Sequence, residues 1–300
     1  MKPKLFILCG LPGSGKSYEA EFLAREWEAR ICSSDKLREQ LLGNVSDQTK
    51  NARVFDILQQ NAKFYLSHGK NVVFDATNIN SAHRRHFLKE ILKTTPCEKI
   101  AIIMATPYQQ CLANNQSRER KVPEDVIKRM YMNWQTPYYF EGFDLIQVVL
   151  WQQKEEYMTP WQFIKSVKGY DQHNSHHTDT LDDHLINTAL RLYNESDELF
   201  LAAILHDCGK PFTQKFCNGK GEPTEDAHYY QHANVGAYDS FFYTSDLPVD
   251  SVLVSWLINN HMDPYQWDRI PRIEVKRKRI WGEELYEMIT KLHDSDKNNH

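Results

Sequence analysis

The chain has 300 residues, of which 41% are hydrophobic and 25% charged, with 12 Gly, 12 Pro and a net charge of −4. These proportions exclude a collagen-like, low-complexity or wholly disordered chain, and the length admits one large domain or two ordinary ones. No apolar run approaches the ~20 residues that span a bilayer, and six scattered Cys with no CxxC pair read as reduced thiols of a cytoplasmic protein without membrane attachment.

In chain order, short apolar runs come first: Lys4–Cys9, Arg30–Ser33, Asn71–Asp75, Lys99–Ala105 and Leu145–Leu150. They are apolar on both faces, as buried parallel strands are. Amphipathic stretches alternate with them, such as Ser17–Ala29 and Gln48–Ser67, where Val54, Leu58 and Phe64 or Tyr65 recur near helical spacing. The alternation predicts an α/β domain with a doubly wound parallel sheet over residues 1–155. From Trp161 onward the pattern turns helical, with His184–Tyr193, Glu198–Leu205 and Val252–Ile258 the clearest segments. An all-α second domain is expected over 156–300. Lys165–Thr180 is polar, either a linker or the first loop of that domain.

The first run leads into Gly10-Leu-Pro-Gly13-Ser14-Gly15-Lys16-Ser17, a G-x-x-x-x-G-K-[ST] phosphate-binding loop. A shuffled chain of this length contains the pattern on the order of once per hundred sequences, and the strand before it and helix after it make chance rarer still. Its backbone N–H groups curl around phosphate oxygens, Lys16 reaches the β/γ-phosphates and Ser17 holds Mg²⁺, so ATP and Mg²⁺ are expected. The second run ends in Ser33-Ser-Asp35-Lys-Leu-Arg38. Asp35 there can accept a proton from an attacking hydroxyl while Arg38 grips an anionic acceptor; equally, Asp35 can cap the next helix. Arg118 and Arg120 stand just before a Pro123-started helix, either as a lid that brings guanidinium groups to the transferring phosphoryl or as a solvated basic loop.

These residues together, GLPGSGKS, SSDKLR, Asp75-Ala-Thr77-Asn78 and the Arg118/Arg120 lid running into VPEDVIKRM, resemble the 5′-hydroxyl polynucleotide kinases, in particular phage polynucleotide kinase-phosphatases. The resemblance covers nearly all of residues 1–150. It implies that Asp35 is the general base, that Arg38 binds the phosphate beside the acceptor nucleoside, and that one lid arginine, Arg118 or Arg120, contacts the donor phosphates. Thr77 and Asn78 are acceptor contacts or the start of a turn.

The two halves differ in charge. Residues 1–150 carry 21 Lys+Arg against 16 Asp+Glu, a net +5; the remainder carries 15 against 24, a net −9, and holds 10 of the 13 His. A basic half suits a polyanionic substrate and a His/Asp-rich half suits metal ions, though solvated surface gives the same totals. His206-Asp207-Cys-Gly-Lys210 follows the apolar run Leu199–Leu205, with His184 upstream and His232, His261 and Asp296 downstream. Imidazole and carboxylate donors suit Mn²⁺, Ni²⁺, Co²⁺, Fe²⁺ or Zn²⁺ better than Ca²⁺.

This half resembles the HD phosphohydrolase superfamily, most closely the HD domains attached to tRNA CCA-adding enzymes. The matched positions are His184, His206-Asp207, His232, His261 and Asp296, with Leu201–Leu205, His228 and Gly236 in the corresponding places. The resemblance implies one or two metals, with His184, His206, Asp207 and Asp296 holding the first, His232 and His261 holding a second ion or the leaving oxygens, and Lys210 near a phosphate. Asp296 is preferred over Asp294 as the last ligand. His228 is a ligand neighbour or surface, and His176 and His177 are expected at the surface.

A kinase for 5′-OH ends and a phosphoesterase for 2′,3′-cyclic or 2′(3′)-phosphate ends are complementary, because broken RNA carries both ends and a ligase accepts neither. The expectation is a bifunctional end-healing enzyme acting on RNA or DNA ends, with an RNA ligase as functional partner, in the cytoplasm (a host's, if phage-encoded). The alternatives are a nucleoside or nucleotide kinase fused to an HD nucleotidase, and a regulatory ATP-binding module. The tract Lys276–Arg279 beside Trp281 either grips a nucleic-acid strand or is a charged surface strand or loop.

Overall fold

Leu5 to Cys9 are at most 3% exposed, so β1 (Lys4–Cys9) is covered on both faces, as a central parallel strand must be. The computed structural model describes residues 2–152, 156–174, 179–267 and 269–297, apart from the side chains of 92 and 94; His176 and His177 lie outside them. The chain divides into two units, Met1–Ile127 with Pro137–Trp151, and Lys128–Thr136 with Gln152–His300.

In chain order the first unit continues with α1 (Lys16–Glu26), β2 (Arg30–Ser33), α2 (Ser34–Leu42), α3 (Asn51–Ser67), β3 (Val72–Asp75), α4 (Ser81–Thr94), β4 (Glu98–Ala105), α5 (Tyr108–Gln116), the start of α6 (Glu124–Tyr131), whose residues from Lys128 on belong to the second unit, and β5 (Leu145–Leu150). All five predicted strands form. They pair in parallel in the order β2-β3-β1-β4-β5. Phe6, Leu8, Val73, Ile100 and Ile102 meet Ala20 and Leu23 of α1 in the core, each large apolar side chain contributing about 1.5–3 kcal/mol by leaving water. In α3 the buried stripe is Val54, Leu58, Ala62 and Leu66. Phe64, an expected core position, is 58% exposed; a strict i, i+4 repeat puts Ala62 and Leu66 on the inward face instead.

The order brings the carboxyl ends of β2, β3 and β1 side by side, so three motifs far apart in sequence share one sheet edge, the ligand edge of open α/β sheets.

The second unit is helical: α7 (Pro160–Ser166), α8 (Leu181–Leu190), α9 (Asp197–Leu205), α10 (Lys210–Thr213), α11 (His232–Tyr243), α12 (Ser251–Asn260), α13 (Pro271–Trp281) and α14 (Glu283–Lys297). It departs from an all-α reading in one place, an antiparallel hairpin of β6 (Lys215–Cys217) and β7 (Pro223–His228). Its strands are short and polar, and the turn is tied by Asn218, whose carboxamide oxygen accepts from Lys220 and Glu222 N–H, so no apolar alternation announces it. The Lys276–Arg279 tract lies inside α13 and is helix, not strand or loop. Lys128–Thr136, which follows the lid in sequence, is built into this unit: Trp134 is fully buried, edge-on to Tyr238 with ring centroids 5.1 Å apart, and the Thr136 and Ser255 hydroxyls are hydrogen-bonded at 2.7 Å. Among the described residues no helix is long and apolar enough to cross a membrane.

Candidate functional site

In the first unit, the loop from Gly10 to Gly15 turns through two left-handed glycines, Gly13 (φ 84°) and Gly15 (φ 88°). Gly13 has a second constraint: a Cβ there would stand 2.3 Å from the Cys111 carbonyl oxygen. Asn114 donates to the Gly13 carbonyl at 2.9 Å and the Thr106 hydroxyl to the Ser14 carbonyl at 3.1 Å, so β4 and α5 clamp the loop from outside. Lys16 Nζ donates to the carbonyls of Gly10 and Leu11 at 3.1 and 2.6 Å. Burial pushes its ammonium down, opposed by Asp75.

A cleft of about 130 Å³ opens beside the loop, lined among others by Ser17, Ser33, Asp35, Asp75 and Arg118. Asp75 is the residue the motif reading named without a role. Its carboxyl is pushed up by burial and drawn back by Lys16 and the Ser33 hydroxyl. Its signal in the sequence was its place at the end of an apolar strand. Oxygen donors from Ser17 and Asp75 in one cleft are the hard donors Mg²⁺ requires.

Asp35 stands in the first turn of α2, with Ser33 in the N-cap position before it. Its two carboxylate oxygens take different partners: Arg38 at 2.9 Å and Arg120 at 2.8 Å. Arg38 is 4% exposed and also donates to Asn51 at 2.9 Å. The two lid arginines therefore divide, Arg118 toward the cleft with Ser17 and Asp75, Arg120 onto Asp35. Asn115 holds the lid closed on itself through both bonds to the Val122 backbone, at 2.8 and 2.9 Å.

The Thr77–Asn78 step is a turn. Asn78 has φ 46° and donates to the carbonyls of Leu8 and Ala76 at 2.7 and 3.3 Å, while the Thr77 carbonyl accepts from Gly10 N–H at 3.0 Å. Arg84, unsuspected from sequence, braces this turn: it donates to the Asn78 carbonyl and forks onto Glu141, each bond 2.7 Å.

In the second unit, six side chains from five helices or helix ends meet. His184 comes from α8, His206 and Asp207 from the end of α9, His232 from the start of α11, His261 from the end of α12 and Asp296 from α14. All six are buried, none more than 8% exposed. They form two triads, His184–His206–Asp296 and Asp207–His232–His261, with the donor atoms of each within 4.8 Å of one another. Asp207 joins them: Oδ2 lies 3.5 and 3.3 Å from His184 and His206 Nε2, and Oδ1 lies 3.2 Å from His232 Nε2. The exposed Asp294 takes no part.

Backbone geometry aims the rings. His206, His232 and His261 each bond through Nδ1 to the carbonyl three residues earlier, at 2.8, 2.8 and 2.7 Å. With Nδ1–H donating outward to these carbonyls, each Nε2 is turned into the cluster, the arrangement by which metal-binding histidines are oriented. Close approach of the α9–α10 turn needs Gly209, where a Cβ would sit 2.2 Å from the His232 carbonyl oxygen.

The charges also match a cation site. Against burial, Lys210 and His206 hold Asp207 well below the usual carboxylate range. Burial alone would lower His206, but Asp207 and then Asp296 raise it to about 10. Burial, then His232 and His206, push His261 down to about 3. Lys210, 4% exposed, bonds Asp207 Oδ2 and Gln172 Oε1, each at 2.6 Å, and Tyr265 donates to Asp296 Oδ2 at 2.8 Å. Gln172 and Tyr265 gave no sequence signal; Gln172 lies in the polar stretch read as linker or loop. His228 is not among the six: it stacks on Tyr230, centroids 5.4 Å apart. In α13, Arg277 pairs with Asp263 at 2.5 Å and Lys278 with Glu283 at 2.6 Å.

Residues 5–137 match the AAA domain family and residues 181–296 the HD domain family. The chain thus carries an N-terminal P-loop kinase domain with a parallel sheet and a C-terminal helical HD domain. An L-seryl-tRNA(Sec) kinase of Methanococcus maripaludis is 28% identical over 151 residues, 49% of this chain and 58% of that relative, so the match spans little more than half of it. Among solved structures, the Pnkp1/Rnl/Hen1 RNA repair complex is 24% identical, covering 52% of this chain and 51% of that one, with a TM-score of 0.38. The Mycobacterium tuberculosis APS kinase CysC, in complex with AMPPNP and APS, is 20% identical over 49% and 88% of the two chains, with a TM-score of 0.37.

Proposed function

We propose that this chain, a P-loop kinase domain joined to an HD domain, heals both ends of a broken polynucleotide: it phosphorylates a 5′-hydroxyl with ATP and opens or removes a 2′,3′-cyclic or 2′(3′)-phosphate. The observation that supports the reading is one chain holding both a phosphate loop beside a cleft lined by Asp35, Asp75 and Arg118, and a buried cluster of six His and Asp side chains joined by Asp207. The motifs resemble those of 5′-hydroxyl kinases, and the curated relative is a kinase of an RNA-borne acceptor.

In the kinase cleft, Asp35 takes the proton of the attacking hydroxyl. Arg38, fixed by Asn51, orients that carboxylate and meets the acceptor phosphate. Lys16 exchanges the loop carbonyls it now bonds for donor phosphate oxygens, and Arg118 neutralises the charge that develops in transfer. Arg120 leaves Asp35 as the acceptor enters. Ser17 and Asp75 would hold Mg²⁺, which offsets phosphate charge.

In the HD domain, His184, His206 and Asp296 would hold one divalent ion and His232 and His261 a second, with Asp207 between them. Bound there, a divalent ion would supply an acidified water and polarise a phosphate ester. Lys210 holds the Asp207 carboxylate and offers its ammonium to a phosphate oxygen, and Tyr265 fixes Asp296.

The test uses one RNA strand bearing a 5′-OH and a 2′,3′-cyclic phosphate, with ATP and Mn²⁺ or Ni²⁺. Both ends are expected to change. Asp35→Ala abolishes only the 5′ reaction and His206→Ala only the 3′ reaction. Turnover of free nucleosides and nucleotides with both strand ends untouched sinks the reading.

A further inference from the structure

The basic tract of α13 is sorted by its helix into two sets of side chains. Arg277 and Lys278 are committed to the protein: the first pairs with Asp263 and lies over Trp281, 5.2 Å from its centroid, and the second pairs with Glu283 over Tyr286 at 4.6 Å. Glu274, the acid in the helix's first turn, accepts a hydrogen bond from the Tyr286 hydroxyl. Arg272, Lys276 and Arg279 remain, spaced i, i+4, i+7 on one face, all exposed. None of them forms an ion pair among the described residues. An exposed face of three like charges, with no ion-paired acid among the described residues, is a local field that attracts an anion.

Its position gives the field a purpose. Asp263, the anchor of Arg277, follows the cluster residue His261 by two positions, and Tyr265 in the same segment donates to Asp296. The segment that ties α13 down therefore carries one cluster residue and holds a second. A mononucleotide carries one phosphate, and on the reading above Lys210 meets it. Three cations along about 10 Å of helix, at 1.5 Å rise per residue, suit successive phosphates of a strand instead.

We propose that Arg272, Lys276 and Arg279 bind the phosphodiester backbone of the single strand whose 3′ end is processed at the HD cluster, making that site selective for polynucleotide ends over free cyclic nucleotides. The proposal rests on the phosphoesterase reading above.

The test compares two substrates of the full chain with Mn²⁺: a single-stranded RNA about ten nucleotides long ending in a 2′,3′-cyclic phosphate, and 2′,3′-cyclic AMP. The variant is Arg272→Gln/Lys276→Gln/Arg279→Gln. Expected are a roughly tenfold or greater rise in KM for the RNA at low salt with kcat unchanged, and unaltered kinetics on the mononucleotide, which also reports that the variant is folded. The dependence of log(kcat/KM) on log[salt] should flatten by about 2, from three phosphate contacts at ~0.7 each. Lys278→Gln, removing an already paired cation, should change KM less than twofold. Equal kinetics of variant and wild type on the RNA overturn the strand-binding face alone. Hydrolysis of neither substrate by the wild type overturns the phosphoesterase reading itself. Binding to anionic lipid vesicles that the variant loses, with RNA kinetics unmoved, assigns the face to a membrane surface and also overturns the proposal.

Discussion

At the scale of single residues, the two sites depend on positions with no tolerance. Gly13 combines a left-handed φ of 84° with a 2.3 Å approach to the Cys111 carbonyl. Gly13→Ala should add strain on the order of 1–3 kcal/mol and weaken ATP binding at least tenfold, read by titration with a fluorescent ATP analogue; unchanged affinity would show that the loop's shape does not rest there. In the cluster, Asp207 touches both triads and Asp296 only one. Metal analysis after loading with Mn²⁺ should therefore find Asp296→Ala retaining close to half the metal of the wild type, and Asp207→Ala retaining almost none. A fourth residue, Asp239, stands outside both sites. Burial pushes the Asp239 carboxyl up to about 7, partly opposed by the Tyr131 hydroxyl that donates to it at 2.6 Å. The folded state then holds a proton that the unfolded chain, with a carboxyl near 4, gives up. Stability from this group is full below about pH 4 and falls as pH rises toward 7. Asp239→Asn should flatten that fall, measured as Tm against pH; an unchanged profile would refute it.

At the scale of elements, legibility followed periodicity. The five parallel strands are legible because burial on both faces makes each a continuous apolar run, and α3 through Val54 and Leu58, whereas small Ala62 does not mark the stripe's continuation to Leu66. The β6–β7 hairpin is not legible, since its stability comes from turn chemistry and pairing rather than an apolar pattern. The stretch Lys128–Thr136 is not either: it follows the lid in sequence but belongs to the second unit, where Trp134 packs on Tyr238. Trp134→Ala should cost about 3–5 kcal/mol of that unit's stability. A fragment of residues 128–300 should unfold at higher denaturant than one of 152–300, and equal midpoints would show that the segment adds nothing.

At the scale of the whole molecule, one chain carries a P-loop kinase domain and an HD domain. Treatment with a chelator, followed by Mg²⁺ alone, should restore the 5′ reaction while leaving the 3′ reaction dependent on added Mn²⁺ or Ni²⁺. Recovery of both with Mg²⁺ would mean that the imidazole-rich cluster does not discriminate against a hard ion. The net charge of −4 concealed this division, since it averages a half of +5 and a half of −9.

The sequence by itself determined the phosphate loop, the carboxylate and arginines around it, the order of the His and Asp positions and the change from alternating strands to helices. Those features are local: a loop's glycines, a strand's burial and a helix's period are written in neighbouring residues. Tertiary structure alone decided which lid arginine faces the cleft and which holds Asp35, that Asn78 bonds backbone carbonyls, and that Asp207 stands between two triads. It also separated the cations of α13 that are ion-paired from those that form no ion pair among the described residues. Such assignments depend on distances between residues tens of positions apart, set by strand order and helix packing. No local pattern encodes them.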